Sequence, residues 1–157
     1  MSQGSGAFEP YPRAEAVWRY LRRRFGFGPR AFEAFRLWHR PGAQTVWIAH
    51  RDCLPDAWTG PETIGLPVLR RPLPRGFPTT SFLQRFGLLA ARNVIWVGEP
   101  GAEALMQGQR LQLDASGTAK GPFIVRTRDA VLGRGWVREA RLALDIPKEW
   151  RSGGESP

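Results

Sequence analysis

From Phe123 the chain runs FIVR, then TRDA, then VLGRGWVR to Arg138. Strand side chains alternate between two faces, so Arg126 and Arg128 fall with Ile124. After a break at Asp129 and Ala130, Leu132, Arg134, Trp136 and Arg138 fall on one face. Val131, Gly133, Gly135 and Val137 fall on the other. The first face is arginine with an inserted aromatic. The second is small and β-branched, as a packed sheet or barrel wall requires. Two such runs about a turn predict an antiparallel hairpin. A charged strand face is ordinarily just solvated. This one collects four arginines, with Asp129 and Glu139 beyond its ends. Like charges side by side repel, and a bound polyanion would give the fold a reason to collect them.

The same residues carry a resemblance. FIVRTRDAVLGRGWVREARLALDIPK resembles the closing section of a PUA domain, the RNA-binding module named for pseudouridine synthases and archaeosine transglycosylases. That section reads as an apolar strand, a turn, a Leu-Gly-x-Gly strand, a basic strand and Pro-Lys. The matching pieces here are Phe123–Arg126, Leu132-Gly133-Arg134-Gly135, Arg138–Leu144 and Pro147-Lys148. Where the family often places a glycine in the last turn, this chain has Glu139-Ala140.

Charge points the same way. The 157 residues carry a formal net charge of +9, and the only lysines are Lys120 and Lys148, so nearly all the positive charge is arginine. Arginine forks onto phosphate and stacks on bases, whereas lysine is a hydrated point charge. This favours a nucleic-acid partner. One cysteine, Cys53, excludes an intramolecular disulfide framework and cysteine-based zinc sites. No apolar run approaches the roughly 20 residues of a membrane span. MSQGSGAFEP has neither a charged n-region nor an apolar h-region, which predicts a cytoplasmic protein without a secretion signal.

In chain order, Met1 to Glu9 reads as a mobile tail. Ala14, Val17, Trp18, Leu21 and Phe25 recur at helical spacing, and Gly26 and Gly28 stop that helix. Arg19, Arg22 and Arg23 lie off the stripe and carry no RNA assignment. Pro29 predicts a second helix with Phe32, Phe35 and Trp38 inward, ended by Pro41-Gly42 with His39 near its end. Gln44 to His50 reads as a strand. His50, Asp52 and Cys53 lack the context of a catalytic pair, and Cys53 is expected to be buried. Leu54 to Pro78 is rich in proline and glycine and predicts a short strand entering a stiff, extended linker. Ser81 and Gln84 fit a capping box for the next helix, whose inward stripe is Phe82, Phe86, Leu89 and Ala90. A strand at 93–97, a short helix around Ala102, Leu105 and Met106, and a brief strand at Leu111 and Leu113 lead to the hairpin.

Here the resemblance widens. FPTTSFLQRFGLLAARNVIWV, GQRL and the closing strands are similar to the C-terminal region of the Sun/NOL/NOP family of rRNA cytosine methyltransferases and to stand-alone relatives of that region. RYLRRRFGFGPRAFEAF resembles the pre-PUA domain of the same group. The expected organisation is α+β, with the boundary near Arg75 set by the proline-rich linker: a small α/β lobe over 1–75, which resembles a pre-PUA domain, a PUA-like β-barrel lobe over 76–151, and a polar tail over 152–157 expected to be disordered. Those methyltransferases use two catalytic cysteines and a glycine-rich S-adenosylmethionine loop. This chain has one cysteine and no room for that domain, so their activity is not carried over.

No P-loop, H-E-x-x-H, G-x-S-x-G or metal-ligand spacing is present. The expectation is therefore a non-catalytic RNA-binding protein without cofactor or metal, acting in ribosome biogenesis. Its contact candidates are Arg126, Arg128, Arg134, Trp136, Arg138 and Lys148 on the hairpin and beyond it, with Arg70, Arg71 and Arg75 in the linker. The partner would be structured RNA, rRNA rather than tRNA. The alternative is a protein-interaction subunit that docks on a modifying enzyme or a pre-ribosomal particle, since tryptophan and arginine are also hot-spot residues.

Overall fold

The structure, a computed structural model, describes residues 6–53, 64–114 and 120–145. It is an α+β protein with two sheets. In the first, β1 (Glu9–Pro10), β2 (Phe35–His39), β3 (Val46–His50) and β4 (Leu66–Leu69) pair antiparallel in chain order. Helix α1 (Ala14–Phe25) lies between β1 and β2 in sequence and buries Val17, Leu21 and Phe25, the stripe that its periodicity predicts. Gly26 ends α1 at φ +67°, a left-handed conformation that glycine adopts without a Cβ penalty. Its N–H donates to the Arg22 carbonyl at 2.9 Å.

The second helix expected from Pro29 does not form. Residues 29–34 are turns, and Phe35–His39 is strand β2. Both sides of β2 are covered, so Leu37 and Trp38 are both buried and the period-2 signal is hidden. Leu37 joins the main core, while Trp38 packs with Phe8, Ala49 and Ile64. Pairing of Leu37 with Ile48 overrides the local helical pattern. His39 is accordingly a strand residue. Phe8, expected in a mobile tail, is buried. Cys53, expected to be buried, is half-exposed beside the Phe8 cluster.

The expected extended linker is instead pinned after β4. The Gly76 N–H donates to the Pro72 carbonyl, the Thr79 N–H donates to the Val68 carbonyl, and Leu69 bridges Pro78. A Cβ on Gly76 would stand 1.7 Å from the Arg71 carbonyl oxygen, so this closed loop needs glycine there. The loop delivers the chain to α2 (Thr80–Phe86). Its cap is Thr79, not Ser81: the Thr79 hydroxyl accepts from the Phe82 N–H at 3.0 Å and donates to the Pro67 carbonyl at 2.6 Å. Gln84, expected in a capping box, instead donates to the Leu132 carbonyl. A 3-10 turn, Gly87–Leu89, follows.

The second sheet comprises β5 (Val94–Trp96), β6 (Leu111–Gln112), β7 (Phe123–Arg126), β8 (Val131–Arg138) and β9 (Arg141–Asp145), in the order β5-β7-β8-β9-β6. One of the two sheets is curled into a half-barrel. Strands β5 and β7 are parallel, and the other pairs are antiparallel. Helix α3 (Glu99–Met106) packs its Leu105 against Val125, Leu142 and Leu144 on the inner side. The predicted hairpin is β7 and β8, with one correction. The register shifts at Val125/Arg126, so Val125 partners Gly133 while Arg126 partners Val131. Leu132 is the extra residue of a β-bulge. The bulge swaps two expected faces: Leu132 joins the inner cluster with Val125, and Val131 joins Ile124 in the main core. Glu139 and Ala140, which close β8 onto β9, both have positive φ, 54° and 62°. A two-residue turn that matches strand twist requires that conformation, and here it is met without glycine.

The main core gathers Val17, Leu21 and Phe25 of α1, Leu37, Ile48 and Leu69 of the first sheet, and Phe82, Phe86, Ile124 and Val131 of the later chain. Helix α2 touches both β4 and β8. Residues from both sides of Arg75 therefore fill one buried cluster.

Candidate nucleic-acid interface

The arginines predicted from the hairpin do not form one row. Arg126 ends β7, but Arg128 lies in the turn beyond it. The Arg126 guanidinium donates from Nε to the Thr127 carbonyl at 3.0 Å and from Nη2 to the Arg128 carbonyl at 3.1 Å. Its carbon sits 3.9 Å from the ring centroid of Trp96, which is 61% exposed. Trp96 and Arg126 are cross-strand partners in the parallel β5–β7 pair, so both side chains stand on one face. The sequence reading passed over Trp96. NVIWV is an apolar run, and only the pairing register shows that Val94 and Ile95 fill cores while Trp96 reaches solvent.

Arg134 is held differently. Its Nε and Nη2 donate to Asp145 Oδ2, and its Nη1 donates to the Pro78 carbonyl at 2.8 Å. Asp145 ends β9 directly opposite Arg134. The sequence reading placed acids only beyond the ends of this face and so missed this partner. Arg134 thus has a structural reason to be where it is. Trp136 is half-buried: its Nε1 donates to the same Asp145 oxygen at 3.2 Å, and its ring meets Phe77 edge-on at 4.9 Å.

Arg138 is exposed, and its cross-strand partner is the exposed Arg141. Directly opposed like charges are unfavourable in an isolated sheet. Arg70, Arg71 and Arg75 are exposed on the closed loop. That loop abuts Arg134 and Trp136 through Pro78 and Phe77. Lys148 lies outside the described residues.

A further basic surface comes from α1. Ala16, Arg19, Tyr20, Arg23 and Arg24 line an open concavity of about 380 Å³. Arg92 donates to the Arg23 carbonyl at 3.1 Å and adds a fourth guanidinium beside it. Arg24 is anchored by two bonds to the Pro122 carbonyl, 3.0 and 2.7 Å, and lies over the Phe123 ring. Burial lowers its guanidinium pKa, an effect that nearby Tyr20 opposes. Burial pushes the Tyr20 phenol up, against the opposing fields of Arg24 and Arg134. Tyr20 thus lies within the fields of both Arg24 on α1 and Arg134 on β8. Among the described residues, no carboxylate forms an ion pair with Arg19, Arg23, Arg24 or Arg92. The sequence placed Arg19 and Arg23 off the apolar stripe but gave no sign that they line a pocket.

Elsewhere, His50 Nδ1 accepts from the Asp52 N–H at 3.1 Å, a local turn contact. Among the described residues no three His, Cys, Asp or Glu side chains are grouped to hold a metal, and no helix is long and apolar enough to cross a membrane. The chain matches no protein-family model and no curated protein.

Proposed function

We propose that this chain is a non-catalytic RNA-binding protein that holds structured RNA by arginine–phosphate contacts. The observation that carries the reading is the α1 concavity, lined by Arg19, Arg23 and Arg24 with Arg92 bonded to the Arg23 backbone beside it, where no carboxylate forms an ion pair with any of the four among the described residues. Such an arrangement is costly for a protein alone and favourable once phosphates neutralise it. Arg138 beside Arg141, and the exposed Arg70, Arg71 and Arg75, extend the same chemistry. A PUA-like layout of the second sheet behind a pre-PUA lobe, rRNA as the target, ribosome maturation as the process and a cytoplasmic location belong to this reading through the sequence resemblance.

The test is binding of fluorescein-labelled rRNA fragments and tRNA to the full chain, read by anisotropy across a salt series. Three to five phosphates at ~0.7 released ions each give a log–log slope of roughly −2 to −3.5. Saturable binding with that slope, tighter for an rRNA fragment, supports the proposal. Absence of saturable binding at near-physiological salt overturns it. A second reading, an accessory subunit docking on a modifying enzyme or pre-ribosomal particle, is favoured by Leu88 and Leu89, which are 51% and 56% exposed. Loss of partner capture on replacing both by serine, with RNA affinity intact, would select it.

A further inference from the structure

We infer that Trp96 and Arg126 form a stacking site for one unpaired nucleobase of RNA. The inference rests on the RNA-binding reading and gives it a defined contact. Trp96 is the most exposed of the large apolar side chains among the described residues, and it belongs to none of the buried clusters. An indole left in water gives the fold little. An exposed cation–π pair contributes only a small stabilisation, which does not account for so large a solvent-facing aromatic.

The geometry suits a base. The Arg126 guanidinium is fixed by the Thr127 and Arg128 carbonyls and covers the Trp96 ring at 3.9 Å. With the guanidinium over the ring and 61% of the residue exposed, much of the indole remains open to a ligand. A flat aromatic heterocycle can continue that stack, and such stacking tolerates any base because every base has a π-face. One of the two carbonyls that fix Arg126 belongs to Arg128, whose exposed side chain leaves the backbone beside the stack. A base on Trp96 would therefore bring its phosphate near a free-standing cation, with Asp129 the one carboxylate in that turn. This neighbourhood selects an anionic aromatic ligand over an apolar protein segment. In an RNA duplex the base faces are occupied by their neighbours, so the site reads unpaired nucleotides.

The experiment uses the full chain and a short single-stranded RNA with one 2-aminopurine, whose fluorescence falls when it stacks. The same sequence as a duplex serves as comparison. Wild type should quench the probe. Trp96→Ala should abolish the quench and weaken single-strand binding by roughly five- to a hundredfold, while duplex binding and the melting temperature stay unchanged. Trp96→Phe should restore most of both signals. If Trp96→Ala leaves affinity and quench intact, or weakens single strand and duplex alike, the stacking site is overturned while the RNA-binding reading stands. If wild type binds no RNA, the reading fails and the site with it.

Discussion

Arg134 and Asp145 face each other across adjacent strands, and the guanidinium grips one carboxylate oxygen with two of its nitrogens while the third holds the Pro78 carbonyl. One side chain thus ties β8, β9 and the loop that launches α2. The Trp136 indole N–H donates to the same oxygen. Only 22% of the Arg134 side chain is exposed, so these bonds are partly shielded from water. Hydrogen bonds to charged groups contribute about 1.5–3 kcal/mol, and orphaned partners add a cost. Arg134→Ala should therefore lower unfolding stability by roughly 1–3 kcal/mol in urea titration. Unchanged stability would show that the grip is incidental and Arg134 is available for RNA.

The α1 concavity makes a separable prediction. Replacing Arg19 and Arg23 by alanine removes two exposed charges from it. Replacing Arg36 and Arg51, exposed on the first sheet or just after it, removes the same charge from elsewhere. Two lost phosphate contacts should flatten the RNA salt slope by about 1.4 units at ~0.7 per phosphate. The first-sheet pair should change the slope much less. Equal behaviour of the two double mutants would mean attraction by net charge alone.

Thr79 is the only buried polar or charged residue among those described, and its hydroxyl bridges the Phe82 N–H and the Pro67 carbonyl. Thr79→Val keeps the shape and removes both bonds. The expected loss is about 1–2 kcal/mol, the size of a helix cap, read as a lower urea midpoint. Ser81→Ala should be near neutral, since Ser81 does not cap.

Tyr20 gives a prediction at alkaline pH. Burial raises its pKa, so the folded protein keeps the phenolic proton after the unfolded chain has lost it. This contribution to stability is complete below the ordinary tyrosine value of about 10. It is lost as pH rises through the higher folded value. Tyr20→Phe should flatten that alkaline decline in chemical unfolding. An identical pH profile would place the phenol in water in the folded state.

Much of the architecture was legible because it rests on local signals. The α1 stripe and the β7–β8 alternation appear as periodicity, and the strand expected over Gln44 to His50, found at Val46–His50, appears in its run of Val46, Trp47 and Ile48. What escaped was set by partners distant in sequence. The strand at Phe35–His39 hides its alternation because both its faces are covered. The bulge at Leu132 moves two residues between faces, and no residue near it announces the shift. In the candidate site, arginine type and position were readable. Their fates were not: Arg134 is held by Asp145, Arg126 lies on Trp96, and Arg19 and Arg23 line a concavity on α1.

The core that draws Leu37 and Leu69 together with Phe82, Phe86 and Ile124 makes the two sheets interdependent. Cutting the chain near Arg75 would leave each half with a raw apolar wall, and separately expressed halves should aggregate alone yet reassemble when mixed. Neither sheet could then be exchanged between proteins as a cassette; the basic surfaces on α1 and on the hairpin would be inherited, lost or remodelled as one unit.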